Sequence, residues 1–291
     1  MKPDLSVIIL SFNTMDLTRA CLISLKKSSL GRISMEILVC DNGSSDGSVG
    51  MIRKEFPDII LIENTRNLGF AAGNNPGIRK AKGNYILLLN SDTEVQRTSL
   101  SVMLDYMRHH KEVGAATCKL VLANGSIDPA CHRGFPSPWA AFTYFSKLER
   151  IFPKTALFGQ YHQTYKDFNT VHEIDMISGA FFLTRSEVIQ KVGMLDEEYY
   201  FYGEDMDWCF RIKEKGWKII YNPKAIVLHK KKQSGRAHSD RMRRVKTELY
   251  FYEYNKLFYR KNYGRRYPGI LMSVIYLLFD LRILILKHLS V

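Results

Sequence analysis

The chain has 291 residues, enough for one large domain or one domain with an appendage, and at 46% hydrophobic residues it is not a mainly disordered chain. A net charge of +13 favours acidic partners (phosphates, nucleic acid or an anionic membrane surface) without choosing among them. Five scattered cysteines with no C-x-x-C pair argue against a disulfide framework or a zinc cluster and for a reducing compartment; the apolar run in MKPDLSVIILSFN is too short for a signal peptide, which keeps the N-terminal part in the cytoplasm.

In chain order, residues 5–11 are apolar and β-branched and read as a buried parallel strand ending at Phe12-Asn13. Residues 14–28 carry Leu17, Cys21, Leu22 and Leu25 at helical spacing, with Thr14 or Asp16 as the cap. Residues 36–40 form a second strand, broken sharply by Asp41-Asn42-Gly43-Ser44; 49–56 is helical and 59–63 a third strand. A glycine- and alanine-rich turn at 69–82 runs into a helix, followed by a strand at 85–89 and a helix at 100–109. This β-α alternation predicts an open, mainly parallel α/β sheet, whose ligands sit at the carboxyl ends of strands. The polar turns at 12–13, 41–45 and 90–93 all lie there.

The middle, 124–170, reads as loops plus one short helix. Residues 177–183 form a strand, 185–192 a helix, 204–215 another helix, and 217–221 and 225–229 two short strands. The tail then changes character. The strongly basic run 230–246 includes Lys230, Lys231, Lys232, Arg236, Arg241, Arg243, Arg244 and Lys246; 248–263 mixes Tyr and Phe with Lys and Arg; and 270–289 is apolar but carries Asp280, Arg282 and Lys287. A spanning helix needs about 20 mostly apolar residues. The interrupting charges favour a helix lying in the membrane interface, against the plainer reading of a helix packed on the core.

Five features carry candidate chemistry. Asp41, in the DNGS turn, offers a carboxylate to a base or ribose, though alone it reads better as a simple Asx turn. The run 67–77 (NLGFAAGNNPG) enters a helix with small residues and N–H groups that suit a diphosphate, or simply with glycines that pack helix on sheet. Asp92, delivered by the strand in LLLNSDT, suits a hard divalent cation on a diphosphate, which needs few protein carboxylates. Glu204, Asp205 and Asp207 open a helix behind the aromatic segment 199–202; acids are ordinary at helix starts, but a partly desolvated one suits a general base. His229, at a strand end, is either a metal ligand or a hydrogen-bonded histidine.

Taken together and in order, VIILSFN (7–13), VCDNGSSDGS (39–48), NLGFAAGNNPGI (67–78), LLLNSDT (87–93), SGAFFLTR (178–185) and GMLDEEYYFYGEDMDWCFRIKEKGW (193–217) resemble the inverting glycosyltransferases of family 2, with the GT-A fold, and most of all their rhamnosyltransferase-like subset. The resemblance spans about 5–230. It implies a GT-A domain over 1–230 and a basic, amphipathic helical extension over 231–291. It further implies a metal-dependent hexosyltransferase that uses Mg²⁺ or Mn²⁺. The donor is a dTDP- or UDP-linked sugar, with L-rhamnose from dTDP-rhamnose as the best match, and the acceptor is a glycan or lipid-linked hydroxyl in surface-polysaccharide synthesis.

Asp205 is then the base with Glu204 beside it. Ser11, Asn13, Asp41, Asn67, Gly69, Asn74, Asn75, Asn90 and Ser91 line the donor site, and Asp92 and His229 hold the cation. The first acid of the family's D-x-D is Asn90 here, which leaves fewer protein ligands, and Asp207 competes as base by proximity. The enzyme is expected to be peripheral at the inner face of the cell membrane, held by its tail on anionic lipid. Other donors of the same class (UDP-galactofuranose, UDP-N-acetylglucosamine, UDP-glucose) and a catalytically silent sugar-binding member of the fold stay open. A nucleic-acid-binding protein would suit the charge, but the acids at the strand ends would repel phosphate, so nucleic acid is not an expected partner.

Overall fold

The structure is a computed structural model describing residues 2–231 and 241–289. Lys232 and Arg236 of the basic run lie outside the described residues, as does the side chain of Arg243.

The first half follows the local hydrophobic pattern closely. Strand β1 (Leu5–Ser11) lies between β2 (Met35–Asp41) and β4 (Tyr85–Asn90), with β3 (Ile60–Glu63) outside β2, all parallel. Leu5, Val7, Ile8 and Ile9 are all fully buried, because successive residues of a central strand face opposite covered sides. Each such side chain contributes about 1.5–3 kcal/mol of burial. Helices α1 (Met15–Lys26), α2 (Ser48–Glu55), α3 (Phe70–Lys80) and α4 (Ser99–His109) make the connections. On α4, Leu100, Met103, Leu104 and Met107 form the inward stripe. The cap expected at Thr14 or Asp16 is absent: the Met15 N–H donates to Asp46 Oδ2 at 2.8 Å. The Thr14 hydroxyl is already engaged with Ser11, Thr18 and Ser91.

The second half is built from long-range pairing. The short β5 (Thr93–Val95) follows β4, then β6 (Val113–Leu122), β7 (His172–Ile174), β8 (Phe181–Arg185) and β9 (Lys218–His229) complete a nine-stranded sheet. Its main order is β3-β2-β1-β4-β8-β6-β9-β5, with β7 pairing β9. The sheet is parallel as expected from β3 to β4, and then mixed: β8 is antiparallel to both β4 and β6, while β6 and β9 are parallel. The two short strands expected around Asn222-Pro223 are one strand, whose register against β6 shifts after Cys118↔Asn222. The middle segment holds two short helices, α5 (Pro138–Phe145) and α6 (Leu148–Ile151), where one was expected. Helices α7 (Ser186–Val192) and α8 (Glu204–Glu214) bracket the aromatic segment. All five cysteines are buried and free.

Helix α9 (Arg241–Phe258) packs on the globular unit, with Tyr254 against Tyr199 and Tyr250 against Tyr200 at ring separations of 5.9 and 5.4 Å. Helix α10 (Gly269–Leu289) leans on α9, with Phe279 against Tyr252 and ion pairs from Asp280 to Lys256 and from Arg282 to Glu248. It is long and apolar enough to cross a membrane, and only 11% of its apolar stretch is buried.

Candidate active site

A cleft of about 590 Å³ opens at the carboxyl ends of β1 and β4. One wall is made by the strand-end turns. Asn67, Gly69, Asn90, Ser91, Asp92 and His229 line it, together with Phe12, Thr14 and Asn42. The opposite wall carries Arg133, Tyr161, the segment 200–203, Glu204 and Asp205, and α9 adds Phe251 and Asn255.

Other expected donor-site residues do not line that surface. Ser11 is fully buried and bonded to Thr14 and Thr18. Asn13, at φ +51°, accepts from the Ser45 N–H and so ties the end of β1 to the turn after β2. Asp41 folds back on its own turn: Oδ1 accepts from Gly43 and Ser44 N–H, and Oδ2 is buried with no protein partner among the described residues. Asn74 bonds to the Phe70 carbonyl. Asn75 reaches Leu195 O and Glu197 Oε1, pinning α3 to the loop before the aromatic segment.

The glycine run divides its labour. A Cβ on Gly73 would lie 2.7 Å from Leu10, and one on Gly77 2.7 Å from Ile8, so these two let α3 sit on β1. Gly69, at φ +82°, has the Tyr200 carbonyl 2.2 Å from where a Cβ would be. The Leu68, Gly69 and Phe70 N–H groups donate to Asn42, Asn67 and Tyr200 respectively, so none of the three is free for an anion. Asn42, quoted in the turn motif but not singled out, is the staple: its side chain bonds Asn64, Asn67, Leu68 and Gly69.

Strand pairing brings His229 to Asp92. Thr93 pairs with His229 across β5 and β9, and His229 Nε2 lies 3.3 Å from Asp92 Oδ1. The ring's other nitrogen, Nδ1, is 2.7 Å from Oδ2 of Asp128. Asp128 is fully buried; its Oδ1 also accepts from Ala130 N–H and Lys231 Nζ. Burial would raise the Asp128 carboxyl, but the bonds from His229 and Lys231 outweigh it and hold the group well below the usual range. Burial likewise would lower His229, but Asp128 and Asp92 outweigh it and raise the imidazole to about 9.

Among the described residues no group of three or more His, Cys, Asp or Glu side chains gathers as a metal site. The donors that do meet are one carboxylate and one imidazole whose second nitrogen is tied to a buried carboxylate. That set fits a hard cation drawing its remaining ligands from phosphate and water.

Across the cleft, α8 begins at Gly203, φ +94°, which turns the aromatic segment into the helix and aims the first acids at the cavity. Glu204 is buried, and burial together with the charge of Asp205 raises it well above the ordinary value. Asp205 Oδ1 accepts from Met206 N–H, and Oδ2 is 3.5 Å from Arg133 Nη2. Burial raises the Asp205 carboxyl; Arg133 opposes it. Asp207 is buried and away from the cleft, bonded to Arg211 Nε at 2.7 Å and to Asn262.

Asp128 and Arg133 escaped the sequence reading. Asp128-Pro129 is a turn signal, and Asp128 caps a short 3₁₀ turn, but nothing local points it at His229.

Residues 6–193 match the family described as Glycosyl transferase family 2. The N-acetylglucosaminyl-diphospho-decaprenol L-rhamnosyltransferase of Mycobacterium tuberculosis is 26% identical over 211 residues, which cover 69% of this chain and 68% of that protein. The poly-beta-1,6-N-acetyl-D-glucosamine synthase of Staphylococcus aureus is 25% identical over 193 residues, 66% of this chain but 42% of the synthase. Among solved structures, the mannosyltransferase PcManGT from Pyrobaculum calidifontis, in complex with GDP-Man and Mn²⁺, superposes with a TM-score of 0.61 at 17% identity, covering 99% of this chain and 74% of that one. The fold is therefore the GT-A fold expected from the resemblance, and the chain belongs to glycosyl transferase family 2.

Proposed function

We infer that this glycosyltransferase moves a hexose, L-rhamnose from dTDP-rhamnose being the best match, from a nucleotide sugar to a hydroxyl of a glycan or lipid-linked acceptor, with inversion, in surface-polysaccharide synthesis. The observation that carries this reading is that Asp92 with His229 and Glu204 with Asp205 line one cleft. Asp205 acts as the general base. It is partly exposed to the cavity, burial raises its carboxyl and so strengthens it as a proton acceptor, and Arg133 opposes that shift. As the Asp205 carboxylate takes the acceptor's proton, the acceptor oxygen bonds to the anomeric carbon and the bond to the nucleoside diphosphate breaks. Glu204, beside it and driven towards the neutral form, avoids placing a second charge there. Asp207 keeps a structural duty on Arg211.

Asp92 and His229 would hold Mg²⁺ or Mn²⁺, which when bound neutralises charge on the departing diphosphate. Asp41, with one buried oxygen unpartnered by protein, supports a place for the nucleotide base or ribose beside the Asn42 staple. The domain ends near residue 230, and the tail beyond holds the enzyme at the cytoplasmic face of the membrane, α10 with its apolar face in anionic lipid.

The test is a thermal-shift screen of dTDP-rhamnose, UDP-N-acetylglucosamine, UDP-galactofuranose and UDP-glucose, with and without Mn²⁺. A donor at about 100 times its Kd adds about 2.7 kcal/mol to the folded state. Asp205→Asn should keep the shift given by the selected donor and lose transfer. Wild-type transfer by that variant would overturn the assignment.

A further inference from the structure

The segment 138–158 turns its aromatic residues outward. On α5, Trp139, Phe142 and Phe145 recur at three-residue spacing and are 41%, 54% and 55% exposed, while Ala140 and Thr143 face inward. The stripe continues beyond the helix through Ile151, Phe152 and Leu157, all exposed. A helix in water normally shows its polar face, and a contiguous exposed apolar patch marks a contact surface. The patch is also preformed. Trp139 Nε1 donates to the Leu157 carbonyl at 2.7 Å, and its ring lies 5.5 Å from Phe142 and 6.2 Å from Phe158.

Charge says what the surface faces. The exposed charged residues of this segment are Lys147, Arg150 and Lys154, all positive; its one acid, Glu149, is buried against His162. Aromatic side chains interleaved with Lys and Arg suit the boundary between acidic lipid headgroups and acyl chains. The segment is also joined to α10 through the interior, by the buried Tyr259. Tyr259 donates its hydroxyl hydrogen to the Pro136 carbonyl at the base of α5, and its ring lies 5.4 Å from Phe279 of α10. Inward, the Tyr144 ring of α5 lies 5.0 Å from that of Tyr161, tilted by 53°, and Tyr161 lines the cleft.

We propose that the α5–α6 hairpin is a second membrane-docking surface, seating on an anionic bilayer beside α10 and setting the mouth of the cleft at the headgroup level. The proposal builds on the membrane reading of the tail but stands on its own residues. Docking there brings the cleft to a lipid-linked acceptor without removing that acceptor from the bilayer.

The experiment uses the full chain with vesicles of phosphatidylcholine alone or with 30% phosphatidylglycerol. Lys147→Glu/Arg150→Glu/Lys154→Glu is compared with Leu277→Ser/Leu278→Ser/Leu281→Ser on α10, each checked for unchanged far-UV circular dichroism. The hairpin variant should partition onto anionic vesicles on the order of 100-fold more weakly than wild type. Trp139 emission, taken as the difference from Trp139→Phe, should be quenched by lipid brominated near the headgroup end of the acyl chain. If the α10 variant loses binding while the hairpin variant partitions like wild type and Trp139 stays unquenched, the hairpin proposal fails and the tail reading stands. The converse result sustains the hairpin and removes the tail. A wild-type chain that ignores both vesicles and forms a dimer broken by the hairpin substitutions overturns the proposal in favour of a protein partner.

Discussion

Replacing Arg133 with Met removes the cation that faces Asp205 at 3.5 Å. At that separation the attraction is worth about 1–5 kcal/mol, for an effective dielectric between that of water and about 20. The sign follows from the role: the base must be ionised, burial already raises it, and Arg133 opposes burial. Losing the cation raises the carboxyl further, so the acid limb of kcat/KM against pH should move upward, with activity recovering at high pH. Glu204 also titrates high and shares the site, so the limb reports the pair. Arg133→Lys keeps the charge and should restore most of the profile. The assay is donor-to-acceptor transfer from about pH 5 to 10 with the donor identified by thermal shift. A limb that stays put or moves downward in Arg133→Met would refute the electrostatic role, as would equal shifts in the Met and Lys variants.

Two further outcomes bear on the frame of the site. Asp128→Ala strips a fully buried carboxylate from His229 and Lys231 and should cost about 3–5 kcal/mol in urea unfolding at pH 7 in EDTA. Because the native carboxyl titrates below the unfolded one, its contribution is complete above the ordinary carboxylate range and fades as pH falls through the native value, so the gap between the two proteins should narrow in acid. Gly69→Ala forces a side chain into a backbone region nearly reserved for glycine and against the Tyr200 carbonyl. It should cost about 2–4 kcal/mol and weaken donor binding, whereas Gly50→Ala, on an open face of α2, should be neutral or slightly stabilising.

What the sequence by itself determined was everything written in local period and punctuation. The apolar runs of β1, β2 and β4, the three-to-four spacing on α1 and α4, and the turns after them sufficed to put Asp41 and Asp92 at strand ends and Glu204 and Asp205 at a helix start. Each of these depends only on residues within a few positions of one another. The tertiary structure decided which of those acids meet, and with what. His229 reaches Asp92 because β5 pairs with β9 across more than a hundred residues, and a strand such as VGAATCKLVL, with glycine and alanine where the pattern should be strongest, announces no such pairing. Asp128 and Arg133 come from an irregular segment, so nothing repeats there to be read. Asp207 had the same local claim as Asp205, and two residues along the helix, about 200° around it, turned it from the cleft to Arg211. A helix advances about 100° per residue, and only the packing of α8 on the sheet chose which carboxylate the cavity would see.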